Sequence, residues 1–150
     1  MRRLPKKIYI KIPSQEDRLK ILKQNIPQHM SLSEVDMQNL AAASSGFSGS
    51  DLVNFANDLL MQPLRMLISA TCFLVSRSED SEDVTAVTPC ALPCPGAVLN
   101  TRFEEMAEMH GEKRMVLPPL TSSVAFETLQ SYRKNVKPPD TQAYENFLLK

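Results

Sequence analysis

The sequence of 150 residues has no tryptophan, only four glycines, two histidines and three cysteines, and it carries no net charge. Each shortage excludes something. Seventeen Lys and Arg balance seventeen Asp and Glu, so no whole-molecule field draws the chain towards nucleic acid or an acidic lipid surface. Cys72, Cys90 and Cys94 do not form the even framework that staples small secreted domains, so a reducing compartment is expected. Cys90 and Cys94 are spaced C-x-x-x-C among prolines. A zinc site built from them with Cys72 and His110 would have one tight pair where structural zinc usually draws on two, so no metal is expected. No apolar run approaches the roughly 20 residues that span a bilayer. The basic start, Arg2-Arg3-Leu4-Pro5-Lys6-Lys7, leads into no apolar signal core. A soluble, intracellular protein is expected.

Catalytic equipment is also missing from the sequence. There is no G-x-x-x-x-G-K-[ST] phosphate loop, no hydrophobic run ending in paired carboxylates for magnesium, and no serine or cysteine nucleophile with credible partners. His29 and His110 stand apart in expected loops. By itself the chain is expected to hydrolyse nothing.

What is present is a regular first half and a broken second half. Lys7-Ile8-Tyr9-Ile10-Lys11-Ile12 alternates apolar and polar residues and stops at Pro13, which predicts a short strand. Ser14 then caps a helix over about 15–25, with Leu19, Leu22 and Ile26 at helical spacing and Pro27 ending it. Ser33 and Asp36 predict a capping box before a second helix that ends near Gly46. A third helix runs over 52–70 with Leu52, Phe55, Ala56, Leu59, Leu60, Leu64 and Leu67 on a broad face. Pro63 should kink it or begin a new segment.

Pro89, Pro93, Pro95, Pro118, Pro119, Pro138 and Pro139 crowd the second half, which predicts irregular structure there. The stretch 76–83 is too polar for a core and reads as a mobile loop. Short apolar pieces between 84 and 119 suggest a small hairpin-like insertion rather than helix. A helix capped by Thr121 or Ser122 and containing Val124, Phe126 and Leu129 should follow. A last helix, through Tyr144, Phe147 and Leu148, should open after Pro139.

The most informative stretch is Gly46-Phe47-Ser48-Gly49-Ser50-Asp51. Its glycines and capping serine put backbone amides at a helix N-terminus, where the peptide dipoles favour an electron-rich group. The plainer account is a loop with Ser48 and Asp51 as a capping box.

The order of parts resembles the C-terminal portion of an AAA ATPase. Arg2-Arg3-Leu4-Pro5-Lys6-Lys7-Ile8-Tyr9-Ile10 looks like that family's paired-arginine segment, and Ser45-Gly46-Phe47-Ser48-Gly49-Ser50-Asp51-Leu52 looks like the start of its lid helix. Further stretches resemble the vacuolar protein sorting-associated protein 4 branch of the family: Leu60-Met61-Gln62-Pro63-Leu64-Arg65, Ser69-Ala70-Thr71, Thr88-Pro89-Cys90 and Pro95-Gly96-Ala97-Val98. Katanin and spastin, microtubule-severing relatives, share the first two motifs but have a shorter lid.

The resemblance implies a mainly α fold: the small helical lid domain of an AAA ATPase, preceded by one strand of the large domain, with a small β insertion and a C-terminal helix. The implied divisions are the strand at 1–13, the lid at 14–75, the loop and β insertion at 76–119, and the closing and C-terminal helices at 120–150. Arg2 and Arg3 match arginine fingers that reach a neighbouring subunit's nucleotide, a role suited to permanently charged, bidentate guanidinium. Gly49 and Ser50 match lid positions against adenine and ribose, and Asn25 falls near the base. Gly96, Ala97 and Val98 match a docking stretch for an activating cofactor.

The resemblance thus implies an ATP hydrolase in full-length form, with half of a Mg-ATP site here. It implies a hexamer acting on ESCRT-III subunits, cytoplasmic and peripheral to endosomal membranes. The alternatives are a microtubule-severing ATPase, or a free-standing helical interaction module without catalysis.

Overall fold

Residues 11–28, 30–77, 84–90 and 94–136 are described by the computed structural model. Arg2 and Arg3, most of the strand expected at 7–12, residues 78–83 and the helix expected after Pro139 lie outside them. The chain divides into two units: the described residues of Met1–Asp58 and Ser122–Lys150, and Leu59–Thr121. Mainly α with a small three-stranded sheet, the structure has the expected fold class.

The first unit is helical. Its elements are α1 (Gln15–Asn25), α2 (Glu34–Ala43), most of α3 (Gly49–Leu60) and α6 (Ser122–Arg133). Helices α1 to α3 begin with the same device, Ser-x-x-Asp. Each aspartate amide donates to the serine hydroxyl, at 3.3 Å for Asp17, 3.2 Å for Asp36 and 3.2 Å for Asp51. Each carboxylate in turn accepts from the serine N–H. Reciprocal bonding satisfies donors that a helix start otherwise leaves orphaned.

The apolar spacing then decides which faces are buried. Leu22, Leu40, Phe47, Leu52 and Phe55 are at most 1% exposed. Full burial of each such side chain stabilises by roughly 1.5–3 kcal/mol. Tyr132 of α6 meets the rings of Phe47 and Phe55 at centroid distances of 5.8 and 6.1 Å, within the range of favourable tilted pairs. Arg18 is buried and donates to the carbonyls of Ala41 and Pro13, so its charge sits among hydrogen bonds and holds α1 to α2.

In the second unit Pro63, expected to kink the third helix or begin a new segment, begins one: it stands in the first turn of α4 (Gln62–Ser69), so the run over 52–70 is two helices. A missing N–H costs nothing in that position. The unit departs from the sequence expectations in two places. The residues after α4 form β1 (Cys72–Arg77), a strand absent from the expectations; Ser76 and Arg77, expected to open a loop, complete it. Within the expected hairpin insertion, Phe103–His110 is a helix, α5.

β1 is central in a sheet of order β2-β1-β3, antiparallel to β2 (Val84–Pro89) and β3 (Ala97–Leu99). Phe73 and Val87 on the sheet, Leu67 of α4 and Met106 of α5 form its core. Met115 follows a short 3₁₀ turn, Glu112–Arg114, and bridges to Val87. This explains why 115–117 reads as an isolated apolar piece.

Candidate functional site

The corner before α3 is built from the end of α2. Gly46, with φ +87°, reverses the chain there, and the Phe47 N–H reaches the Ser44 carbonyl at 3.2 Å. A side chain at that φ would be strained. Phe47 is buried and precedes the cap, while Leu52, four residues after it, is buried too; these are the positions of a hydrophobic staple. Ser48 Oγ lies 2.6 Å from Asp51 Oδ2.

This packing decides which amides face outward. The Asp51 N–H is taken by Ser48 Oγ and the Leu52 N–H by the Ser48 carbonyl at 3.1 Å. Gly49 and Ser50 thus supply the leading amides of the helix, with Gly49 half-buried and Ser50 exposed. Nothing lies within 4 Å of where a Gly49 Cβ would stand, so the space beside it is open. The capping box and the outward amides coexist.

Asn25 closes α1, and its side-chain amide donates to the Ile21 carbonyl at 2.7 Å. No hydrogen bond joins it to Gly49 or Ser50 among the described residues. The arginine pair falls outside those residues. Also among the described residues, no group of three or more His, Cys, Asp and Glu side chains is placed to hold a metal ion.

The stretch Gly96, Ala97 and Val98, expected to dock a cofactor, belongs to the second unit. Cys94-Pro95-Gly96-Ala97 is a tight turn closed by the Ala97 N–H on the Cys94 carbonyl at 3.0 Å. Proline in its second position and Gly96 in its third, at φ +84°, are what a type II turn requires. β3 then runs along β1, with Ala97 opposite Leu74 and Val98 opposite Phe73. Among the described residues β3 is an edge strand, and Val98 and Leu99 on it are 38% and 49% exposed. An open edge carrying apolar side chains can accept another strand. Leu99, read in the sequence only as part of the short apolar piece Val98-Leu99, joins the stretch through its place in β3.

No family model matches the chain. Vacuolar protein sorting-associated protein 4 of Dictyostelium discoideum is 31% identical over 149 residues, 97% of this chain and 33% of that protein. The mouse (Mus musculus) protein 4B is 31% identical over 153 residues, again 97% of this chain and 33% of its own length. Zebrafish (Danio rerio) spastin is 41% identical over 68 residues, 45% of this chain and 12% of spastin. One chain of the crystal structure of Vps4 and Vta1 is 27% identical with a TM-score of 0.59, over 81% of this chain and 99% of that one.

The chain spans about a third of the length of the Vps4 relatives it matches. A capped helical unit joined in sequence to a three-stranded sheet unit, with these likenesses, defines the C-terminal part of an AAA ATPase. Within that class the chain is Vps4-like: those matches run through both units, whereas the spastin match covers less than half of the chain.

Proposed function

We propose that this chain is the lid, β domain and C-terminal segment of a hexameric, Mg-ATP-driven ATPase that pulls ESCRT-III subunits out of filaments at the cytoplasmic face of endosomal membranes. The observation that carries this reading is the extent of the Vps4 likeness across both units. The Gly49 and Ser50 corner would close over adenine and ribose, while a separate domain holds the phosphates and magnesium. Lid angle would then follow nucleotide state. Asn25 would approach the base from the end of α1. Arg2 and Arg3 would reach the neighbouring subunit's nucleotide and stabilise phosphoryl charge as it develops. Gly96, Ala97 and Val98 would dock an activating cofactor at the open edge. The solved relative was crystallised with Vta1, and a Vta1-like protein is the cofactor proposed.

The test is an exchange in which this chain replaces the matching third of Dictyostelium Vps4. The chimera should hydrolyse ATP and disassemble ESCRT-III filaments. With Arg2 and Arg3 changed to alanine it should lose hydrolysis and keep nucleotide binding; lost binding would make the arginines structural. A chimera that turns over ATP but leaves filaments intact defeats the ESCRT-III assignment. The higher local identity to spastin favours microtubule severing as the second reading. The same exchange into spastin, restoring severing where the Vps4 chimera is idle, would establish it.

A further inference from the structure

Three thiols converge at one end of the sheet, and the proposed ATPase role uses none of them. Cys72 begins β1 and is buried; Cys90 directly follows β2, its N–H donating to the Cys72 carbonyl at 2.8 Å; Cys94 is the first residue of the turn into β3. The Sγ atoms of Cys90 and Cys94 lie 3.6 Å apart, within the reach of a thiol hydrogen bond in which either can donate. Both are half-buried, so a small reagent has access that it lacks at Cys72. A bridge needs the sulfurs to close from there to about 2.05 Å.

We infer that Cys90 and Cys94 are a reversible thiol–disulfide pair, oxidised by a low-molecular-weight disulfide to a bridge that ties the end of β2 to the turn before β3. The chemistry balances with glutathione disulfide as oxidant. The Cys94 thiolate attacks one sulfur of glutathione disulfide, forming a mixed disulfide and expelling one glutathione thiolate. Cys90 then loses its proton and attacks the Cys94 sulfur, expelling the second. Two electrons pass from the protein thiols to the oxidant, and the two protons end on two glutathiones.

The order of attack follows from the surroundings. Burial, then the hydrogen bond and charge of Cys94, and after them those of Cys72, push the Cys90 thiol up to about 11, which suits it to second place. Capping Cys94 removes its charge and hydrogen bond, so the first exchange eases the second. The bridge would fix the segment whose turn presents Gly96, Ala97 and Val98. It rests on sulfur geometry alone and stands whether or not that edge binds a cofactor.

The experiment equilibrates the whole chain in glutathione buffers of increasing oxidation, traps thiols with an alkylating agent, and maps the products by mass spectrometry. The expected product keeps one free thiol, Cys72, and has lost two hydrogens at a Cys90–Cys94 bridge. Cys90→Ser should instead hold glutathione on Cys94, and Cys94→Ser should form no internal bridge. Cys72→Ser should bridge as the parent does. Glutathione persisting on the parent chain, a bridge that includes Cys72, or three intact thiols under the most oxidising buffer would each overturn the assignment.

Discussion

In the helical unit Leu22, Leu40, Leu52 and Phe55 are buried on helices that start with their own Ser-x-x-Asp caps, so most of what forms each helix lies within a few residues of it. Among the described residues, the core cluster of the sheet unit draws its four buried side chains, Leu67, Phe73, Val87 and Met106, from four separate elements. Its central strand finds partners far along the chain, Cys72 lying opposite Leu99. The first arrangement is assembled from local decisions and the second from distant ones. A single loss should therefore be absorbed in one unit and propagate through the other.

The largest expected effect breaks or upholds that contrast directly. Phe73→Ala removes the one ring from the four-residue core, at a cost of about 3–5 kcal/mol. A unit of this size seldom has more than about 3–5 kcal/mol in total. The sheet should unfold while helical circular dichroism largely persists. Leu40→Ala, costing about 2–5 kcal/mol, should lower the melting temperature of the helical unit and leave it folded at 25 °C. Circular dichroism melts with hydrogen exchange resolved by residue would read both. If either variant unfolds the whole chain in one transition, the two units are one cooperative block.

A smaller and sharper comparison uses two glycines under the same strain. Gly46 and Gly96 have φ of +87° and +84°, and neither has a neighbour within 4 Å of a built Cβ. Alanine at either should thus cost backbone strain alone, roughly 1–2 kcal/mol. Equal costs should have unequal results. In urea, Gly46→Ala should shift the helical transition modestly. Gly96→Ala should speed exchange of the Ala97 amide, which depends on the turn bond to Cys94, and markedly weaken the smaller unit. Equal shifts in both units would mean the sheet is as well buttressed as the helices.

The same contrast explains what could be read in advance. The expected bounds of α1, the Ser33–Asp36 box and the Ser48–Asp51 pairing are all found, because cap and apolar period act within one or two turns. β1 was invisible because Cys72-Phe73-Leu74-Val75 directly follows a helix and has its partners in β2 and β3. α5 does carry a helical signal: Phe103, Met106 and His110 are spaced three and four apart, and Glu105 returns to the Arg102 N–H. Flanking prolines, at Pro95 and at Pro118-Pro119, masked it by making the whole stretch read as irregular. At the candidate site, the Gly46–Asp51 corner was legible in its cap, because the cap arises within one turn. That Leu99 shares the open edge with Val98 depends on register and could not be read locally.

The weakest expected effect separates the units by pH. Hydrogen bonds from Ser14 and Ser33 hold the carboxyls of Asp17 and Asp36 below the ordinary value of 3.8, with Ser122 of α6 also contributing at Asp36. Because these folded values are depressed, the stabilisation they bring is complete above the ordinary value and fades as pH falls through the folded one. Asp17 is exposed and Asp36 only half-buried at the surface, so solvent and salt screen the effect and it should be slight. Cys90 in the sheet unit has the opposite sign. Its value is raised from 9.0 to about 11, so its contribution is intact below 9.0 and lost as pH climbs towards 11. Acid should accordingly soften the helical unit first and alkali the sheet unit. Carboxyl titration by NMR gives the finer test. Ser14→Ala should return Asp17 nearer to 3.8 than Ser33→Ala returns Asp36, because Ser122 still donates to Asp36 in the second variant. Equal recovery would remove Ser122 from the account and leave each cap a purely local device.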